Sequence, residues 1–467
     1  MDSLQDAIDS VNKAKKIASE CIYRPKYHFL APANWMNDPN GPIFYKGEYH
    51  LFYQHNPYDD NWGHIHWGHA KSKDLVHWKH LPIALVPSTK SGEEHCFSGS
   101  CVNNDGIPSI LYTSIGPNKR PETGAEQWLA LSEDDMMSWR KYSSNPIMTL
   151  KIHGNLDVRE WRDPYVWRED DHWYMVLGGH IHNSEKGVVL LYKSSDLIHW
   201  TYLNPLCEGK NVDKKTRRNW ECPNFFPLGN KYILIVSPHN KVVYSVGSYE
   251  NYKFTPEEWN YLDHGYVFYA PMTMLDSKKR RLMWAWIRDG GEGGWNGCLT
   301  LPRVLTLGAD NKLRFKPAPE LQILRKECTH MEDIILSEEV SNLFNNIQTN
   351  SLEILLELEF IDAKSFKLQF FQPDENKKVD TIGIDIKKGK FWAGKEKGKI
   401  DFLNHEKRFL LHIFIDRSVI EVFLNYRECL TSRMYYSSET AKNLIFFIAE
   451  GKIKINYLDI WKIESIW

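Results

Sequence analysis

Apolar residues recur at spacings of three and four near the start of the chain, at Leu4, Ala7, Ile8, Val11, Ala14 and Ile17. That spacing predicts a short amphipathic helix over 3–20, with Ser3 as its N-cap and Pro25 stopping any continuation. From Tyr27 to about Leu307 the pattern changes to short runs of alternating or continuous apolar residues after polar turns. Examples are Glu48–Gln54, His172–Gly178, Lys231–Ser237 and Arg280–Trp286. Each predicts a strand. A heptapeptide recurs beneath this pattern. Ser72-Lys73-Asp74-Leu75-Val76-His77-Trp78 returns as Ser194-Ser195-Asp196-Leu197-Ile198-His199-Trp200, with a looser copy at Ser132–Trp139 and a weak one at Ser248–Phe254. The spacing, roughly 55–60 residues, is that of propeller blades with long loops, and the span holds about five. The repeat itself reads as structural, a polar turn with its Trp packed between blades. Alternation resumes at Leu352–Phe360 and Leu410–Asp416, as in a β-sandwich. The expected organisation is all-β: a helical segment 1–24, a five-bladed β-propeller 25–307, a linker 308–335 and a β-sandwich 336–467.

A chain of 467 residues is long enough for two or three such domains. The net charge of −2 gives no electrostatic reason to expect nucleic acid or an anionic membrane as partner. No run approaches the ~20 apolar residues of a membrane span. The first residues lack a basic stretch followed by an apolar one, and the eight cysteines are scattered without CxxC spacing. Both point to a cytoplasmic protein with free thiols. The 18 Trp and 23 Tyr are an unusual load. Most suit a β-rich core, and a few could be platforms for sugar rings.

Three acids share an unusual context. Asp38 lies in Trp35-Met36-Asn37-Asp38-Pro39-Asn40-Gly41, Asp163 in Trp161-Arg162-Asp163-Pro164, and Glu221 in Trp220-Glu221-Cys222-Pro223. A lone carboxylate is usually a turn cap or a surface charge. Three of them, each in what reads as a rigid turn beside Trp and Pro, suit cleavage of a glycosidic bond. That reaction needs an acid for the leaving oxygen and a second carboxylate opposite it. Asp38, next to the amide of Asn37 and fixed by Pro39, suits attack. Glu221, among Trp220, Pro223 and Phe225, is expected to be desolvated, with a raised pKa, as the proton donor. Asp163 is expected to grip sugar hydroxyls, kept ionised by Arg162. His64 and His66 in Trp62–His69 have no acidic partner at zincin spacing, so hydrogen bonds near the rim are expected there rather than metal, with Trp62 as a sugar platform. Gly290–Gly294 has no helix after it and reads as a loop rather than a phosphate cradle.

At these residues the chain resembles glycoside hydrolase family 32, the β-fructofuranosidases. The likeness runs through Tyr27-His28-Phe29, WMNDPNG, Phe52–Pro57, WGHIHWGHA, Phe97-Ser98-Gly99-Ser100, WRDP, WECP, Gly294–Arg303 and Phe414–Phe423. It implies a five-bladed propeller with an appended sandwich and retaining hydrolysis of terminal β-fructofuranosides. It implies Asp38 as nucleophile, Glu221 as acid/base and Asp163 as transition-state stabiliser, with Asn37, Gln54, Trp62, Phe97, Ser98 and Arg162 lining the fructose subsite. No metal or organic cofactor is implied; the partner is a small sugar. The chain departs from the commoner pattern at His64-Ile65, Trp161, Asn224 and Met272. These departures leave open what lies beyond the fructose. Sucrose and sucrose 6-phosphate are the leading candidates. For the phosphate, a basic loop at Lys210, Lys214, Lys215, Arg217 and Arg218 could serve, though such a loop also reads as solvated surface. Exo-fructanase and fructosyltransferase activities fit the same trio. A non-catalytic fructan-binding propeller would be expected to lack an acid, and an inverting arabinan-cleaving propeller would not carry WMNDPNG and ECP.

Overall fold

The structure, a computed structural model, describes residues 3–120, 122–182, 186–209, 219–290, 293–337, 349–369, 381–435, 445–449 and 451–467. It separates into two compact units. One holds the chain up to Cys21, Phe29–Leu262 and Tyr269–Leu313; the other holds Ile22–His28, Asp263–Phe268 and Arg314–Trp467.

The predicted helix forms over Leu4–Glu20, and the Ser3 side chain accepts from the Asp6 N–H at 3.1 Å. Its buried residues are Ala7, Val11 and Ala18, while Leu4 and Ile17 of the expected stripe are exposed.

Five antiparallel sheets follow, and the strands of each pair mainly in chain order. Their first strands are Asn34–Tyr45, His95–Asn104, Val158–Glu169, Glu221–Leu228 and Phe268–Leu275. Two-residue turns with positive φ at both positions explain the meander. Lys46-Gly47 (45°, 84°), Asp105-Gly106 (49°, 96°) and Asn251-Tyr252 (51°, 63°) have the handedness that matches strand twist. The repeated heptapeptide is the turn between the third and fourth strands of its sheet. Asp74 accepts from the N–H groups of Val76 (2.9 Å) and His77 (2.8 Å), and Asp196 does the same for Ile198 and His199. The indole N–H of Trp78 or Trp200 then donates to the carbonyl of Leu75 or Leu197, and the ring is buried. The repeat is therefore structural, as its periodicity suggested.

Apolar residues from neighbouring sheets fuse into shared cores. Phe52 and Trp67 meet Ile110 and Tyr112. Leu111 and Leu129 meet Trp161 and Trp200, and Val176 and Leu191 meet Trp220 and Phe225. Trp295–Asn296, from after the fifth sheet's second strand, pairs parallel with Asn34 and Trp35 of the first. Sheets that share cores with their neighbours in order, with late residues joining the first sheet, are laid out as in a β-propeller. Close approach of backbones is part of the design. A Cβ on Gly178 would lie 2.0 Å from the Trp220 carbonyl oxygen, so that position admits only glycine.

The second unit stacks a six-stranded sheet on a five-stranded one. Leu352, Ile354, Leu356, Leu358 and Phe360 alternate into its core against Phe366, Leu368, Ile384 and Phe391 from the other sheet. Two stretches depart from the expected division. Residues 308–335, expected as a linker, carry a strand at Leu313–Pro317, a 3-10 helix at Pro319–Leu324 and most of a strand at Arg325–Ser337, which edges the six-stranded sheet. Residues 22–28 belong with the second unit. There Asp416 accepts from the N–H groups of Lys26, Tyr27 and His28 at 2.7–2.8 Å.

His28 is fully buried between two acids, with Nδ1 2.9 Å from Asp416 and Nε2 3.1 Å from Glu421. Burial alone would lower its pKa, but the two carboxylates outweigh this and raise it. A raised folded-state pKa stabilises the fold fully below the ordinary histidine value, and the contribution is lost as pH rises through the folded one. His28→Gln should cost about 3–5 kcal/mol near pH 6 and less at pH 9, measured by denaturant melts. A cost that grew with pH would contradict the charged assignment.

Candidate active site

The three acids do not sit in turns. Each lies on the first strand of a sheet, at a break in the pairing register. Register shifts fall between Met36 and Pro39, between Arg162 and Tyr165, and between Glu221 and Asn224. A fourth, between Cys96 and Gly99, brackets Ser98. Bulges re-aim side chains that a regular pleat would send to alternate faces. Asp163 (φ 65°) and Cys222 (φ 45°) carry the left-handed backbone that this needs. Asn, Pro and Gly within WMNDPNG thus mark an irregular strand.

Asp38 is 9% exposed. Its Oδ1 accepts from Asn37 Nδ2 at 3.1 Å, and its Oδ2 accepts from Ser98 Oγ at 2.6 Å and Gln54 Nε2 at 3.4 Å. Gln54 in turn takes Asn37 Nδ2 at 2.9 Å and donates to Ser98 at 2.6 Å, while Trp35 Nε1 donates to Asn37 Oδ1 at 2.7 Å. Four residues chosen from sequence therefore form one closed network, which holds the carboxylate in a single orientation.

Glu221 faces a different set of donors. Arg162 Nη2 and the Tyr269 hydroxyl each make very short contacts to it, and His239 Nε2 lies 3.2 Å from Oε1. Burial would raise its pKa, but Arg162, then His239 and Tyr269, outweigh this and hold the carboxyl well below the usual range. This reverses the expected raised pKa. Trp220 and Phe225, which were to desolvate it, are buried in the core between the third and fourth sheets. Trp161 is likewise core, its Nε1 donating to Tyr192 OH at 2.9 Å.

Asp163 is also reversed. Burial dominates, Arg162 lowers it, and the charges of Glu221 and Asp38 raise it, so its pKa is pushed up to about 7. Arg162 Nε is 3.9 Å away, because the guanidinium is committed to Glu221 and Glu160. Asp163 is aimed instead by the Cys222 N–H, 2.9 Å from its Oδ2, and by its own N–H donating to Thr113 Oγ1 at 3.0 Å. Asp38 is raised as well, by burial and by Glu221, against the lowering bonds from Ser98 and Asn37.

Cys222 joins the halves of the site. Its Sγ lies 3.5 Å from Asp38 Oδ2 and 3.6 Å from Asp163 Oδ2. Burial and the surrounding acids raise its pKa far above the ordinary thiol value, so it stays protonated and donates. Two carboxylates within 3.6 Å of one sulfur, with the third on the preceding residue, place all three acids in one site. Trp62 is half exposed, its ring 5.0 Å from His95 and 6.2 Å from Phe97, the neighbour of Ser98. His66 is buried, and its Nδ1 engages the His64 carbonyl.

Sequence reasoning did not single out Tyr269, His239, Glu160 or Thr113. Tyr269 lies three residues before Met272, one of the departures from the commoner pattern, but nothing in Ser237-Pro238-His239 signalled a contact with an acid. Asn224, a departure from the commoner pattern, uses its whole amide. Nδ2 donates to the carbonyls of Cys222 (3.1 Å) and Pro271 (2.8 Å), and Oδ1 accepts from Thr273 N–H (2.8 Å). Tyr269→Phe removes one donor from the Glu221 carboxylate. The Glu221 pKa should then rise, so that Glu221 holds a larger share of the protons on the three acids and the alkaline limb of the kcat/KM profile moves up, by about one pH unit at most. A limb that moved down would contradict this wiring.

Residues 28–317 match the glycosyl hydrolases family 32 N-terminal domain, and residues 320–462 match the family 32 C-terminal domain. The chain belongs to glycoside hydrolase family 32. It is 31% identical to a sucrose-6-phosphate hydrolase of Zymomonas mobilis, over 99% of this chain and 96% of that one. It is also 31% identical to a raffinose invertase of Escherichia coli, over 94% of each. Its structure superposes on the GH32 beta-fructofuranosidase of Bombyx mori with a TM-score of 0.80 and 28% identity, covering 99% of this chain and 98% of that one. The family 32 chain described here is a glycoside hydrolase, built mostly of β-strands in the family's layout.

Proposed function

We propose that this glycoside hydrolase removes terminal, non-reducing β-D-fructofuranose from sucrose or sucrose 6-phosphate, with retention. The observation that carries the reading is the meeting of Asp38, Asp163 and Glu221 around Cys222, with the donors divided between Asp38 and Glu221. Asp38 attacks the anomeric carbon and its bond to the leaving oxygen breaks, while Glu221 gives that oxygen a proton. Water then attacks the fructosyl ester; Glu221 takes the water's proton, and the Asp38 carboxylate leaves. Asp163 accepts hydrogen bonds from ring hydroxyls as charge builds on the sugar.

In the unliganded site the proton favours Asp163 and Asp38 over Glu221. Sugar hydroxyls that occupy Arg162 and Asp163 weaken the hold on the Glu221 carboxylate and let the proton move there. The three carboxyls thus titrate as a group, and the pH profile belongs to the cluster.

The names of relatives at about 31% identity support the choice of substrate. The basic loop considered for phosphate lies outside the described residues. Initial rates on sucrose, sucrose 6-phosphate, raffinose, inulin and levan test the reading. One of the first two should exceed inulin and levan in kcat/KM by about tenfold or more, the usual scale of a lost subsite contact. Preference for a fructan would replace it with exo-fructanase. Kestose-type products at high sucrose would replace it with transfer.

We also place the protein in the cytoplasm. All eight cysteines are free thiols, and among the described residues no helix is long and apolar enough to cross a membrane. Trp62→Ala should raise KM about fivefold to tenfold with kcat little changed, because a half-exposed ring binds ground state and transition state alike. A fall in kcat at constant KM would remove Trp62 from the binding surface.

A further inference from the structure

A cavity of 540 Å³ opens among the same inner strands, and none of the three acids lines it. Its wall begins at Gly41 after Asp38, at Tyr165 after Asp163 and at Phe225 after Glu221. At about 3.3 Å per strand residue, this places its start roughly 7–13 Å further along each strand. The volume is that of a small-molecule site. Phe44, Tyr165, Trp167, Phe226 and Tyr232 give it flat apolar walls.

Arg281 sets its chemistry. The side chain is half buried, with Cζ 4.3 Å over the Phe226 ring and Nη1 donating to Tyr165 OH at 3.1 Å. Its Nε is buried and has no hydrogen-bond partner, and among the described residues no carboxylate pairs with it. The other lining cation, Arg168, is matched by Asp105 at 2.8 Å. The single lining acid, Glu169, is exposed and accepts from Trp167 Nε1 at 3.4 Å. A shielded cation without a counter-charge is costly, and an unused buried donor calls for an acceptor. A neutral sugar would need carboxylate or amide acceptors in the interior. The lining amide, Asn103, and the lining acid, Glu169, are both exposed; the less exposed polar side chains include the Arg281 guanidinium and the hydroxyls of Ser100, Tyr165 and Thr273, the last two 3.2 Å apart.

We propose that this cavity binds a small planar aromatic carboxylate, its charge on Arg281 and its ring against the aromatic wall, at a site separate from the sugar site. The test is calorimetric titration of the intact protein with naphthoate, with and without saturating fructose. Binding should be saturable, one per chain, and unaffected by fructose. Neutral naphthyl methanol should bind about tenfold more weakly or worse, the scale of a lost charge-assisted hydrogen bond. Arg281→Met should cause a similar loss while fructoside hydrolysis is unchanged. Ile43→Trp, which fills the cavity and leaves Arg281 in place, should abolish binding and likewise spare hydrolysis. The proposal is overturned by absence of saturable binding, by displacement with fructose, by equal binding of the neutral compound, or by binding that survives either substitution.

Discussion

Replacing Asp38 with asparagine is expected to lower kcat on sucrose by about 10⁵-fold or more, the scale seen when an attacking group is removed. The substitution is nearly isosteric. The amide would keep the size of the side chain, and its oxygen could still accept from Asn37, now 3.1 Å from Asp38 Oδ1. The Ser98 hydroxyl, 2.6 Å from Oδ2, can rotate to accept from the new amide, while Gln54 Nε2 and the Cys222 thiol lose only their longer contacts to Oδ2, 3.4 and 3.5 Å. The fold should persist with an unchanged melting temperature, because the acid contributes unfavourable burial: its pKa is raised by desolvation. On the proposed mechanism what disappears is the nucleophile, so the loss should be equally large for every fructoside, whatever its leaving group. Rapid-quench measurement should show no burst of the first product. A variant retaining even a hundredth of normal turnover would not fit.

Glu221→Gln should behave differently. Its loss on sucrose is expected at about 10³–10⁴-fold, the upper part of the range for removing a general acid. A 4-nitrophenyl fructoside needs no proton for departure of its leaving group, so its first step should be far less affected. The second step still lacks the base, and fructosyl-enzyme should accumulate. Equal damage to both substrates would contradict the acid/base role. The same change removes the charge that Arg162, His239 and Tyr269 all engage. The Asp163 pKa, about 7 because of burial and partly because of Glu221, should fall in this variant. That shift is readable in the pH dependence of what activity remains.

The strand pattern was legible because the turns are local. Lys46-Gly47 and Asp105-Gly106 announce hairpins, and the Ser-x-Asp turn recurs with its Trp. The acids were legible as residues but not as geometry. WMNDPNG reads as a turn because Asn, Pro and Gly also break register within a strand, and only pairing partners distinguish the two. Nor could the pKa order be read. It depends on Arg162 reaching across to Glu221, 59 residues later, rather than to its neighbour Asp163. The Trp residues beside the acids were overread, since Trp161 and Trp220 pack inward on the far side of the strand. The strand Arg325–Ser337 was missed because it edges its sheet and keeps mostly exposed residues, many of them polar or charged, so no apolar alternation betrays it.

Peptide mass mapping of the Glu221→Gln protein, quenched during turnover of the 4-nitrophenyl fructoside, asks directly whether Asp38 carries the covalent intermediate. One fructosyl unit on the peptide carrying Asp38, and on that residue alone, is the predicted result. An unmodified Asp38 under conditions where product forms, or a fructosyl unit on Asp163, would contradict the account.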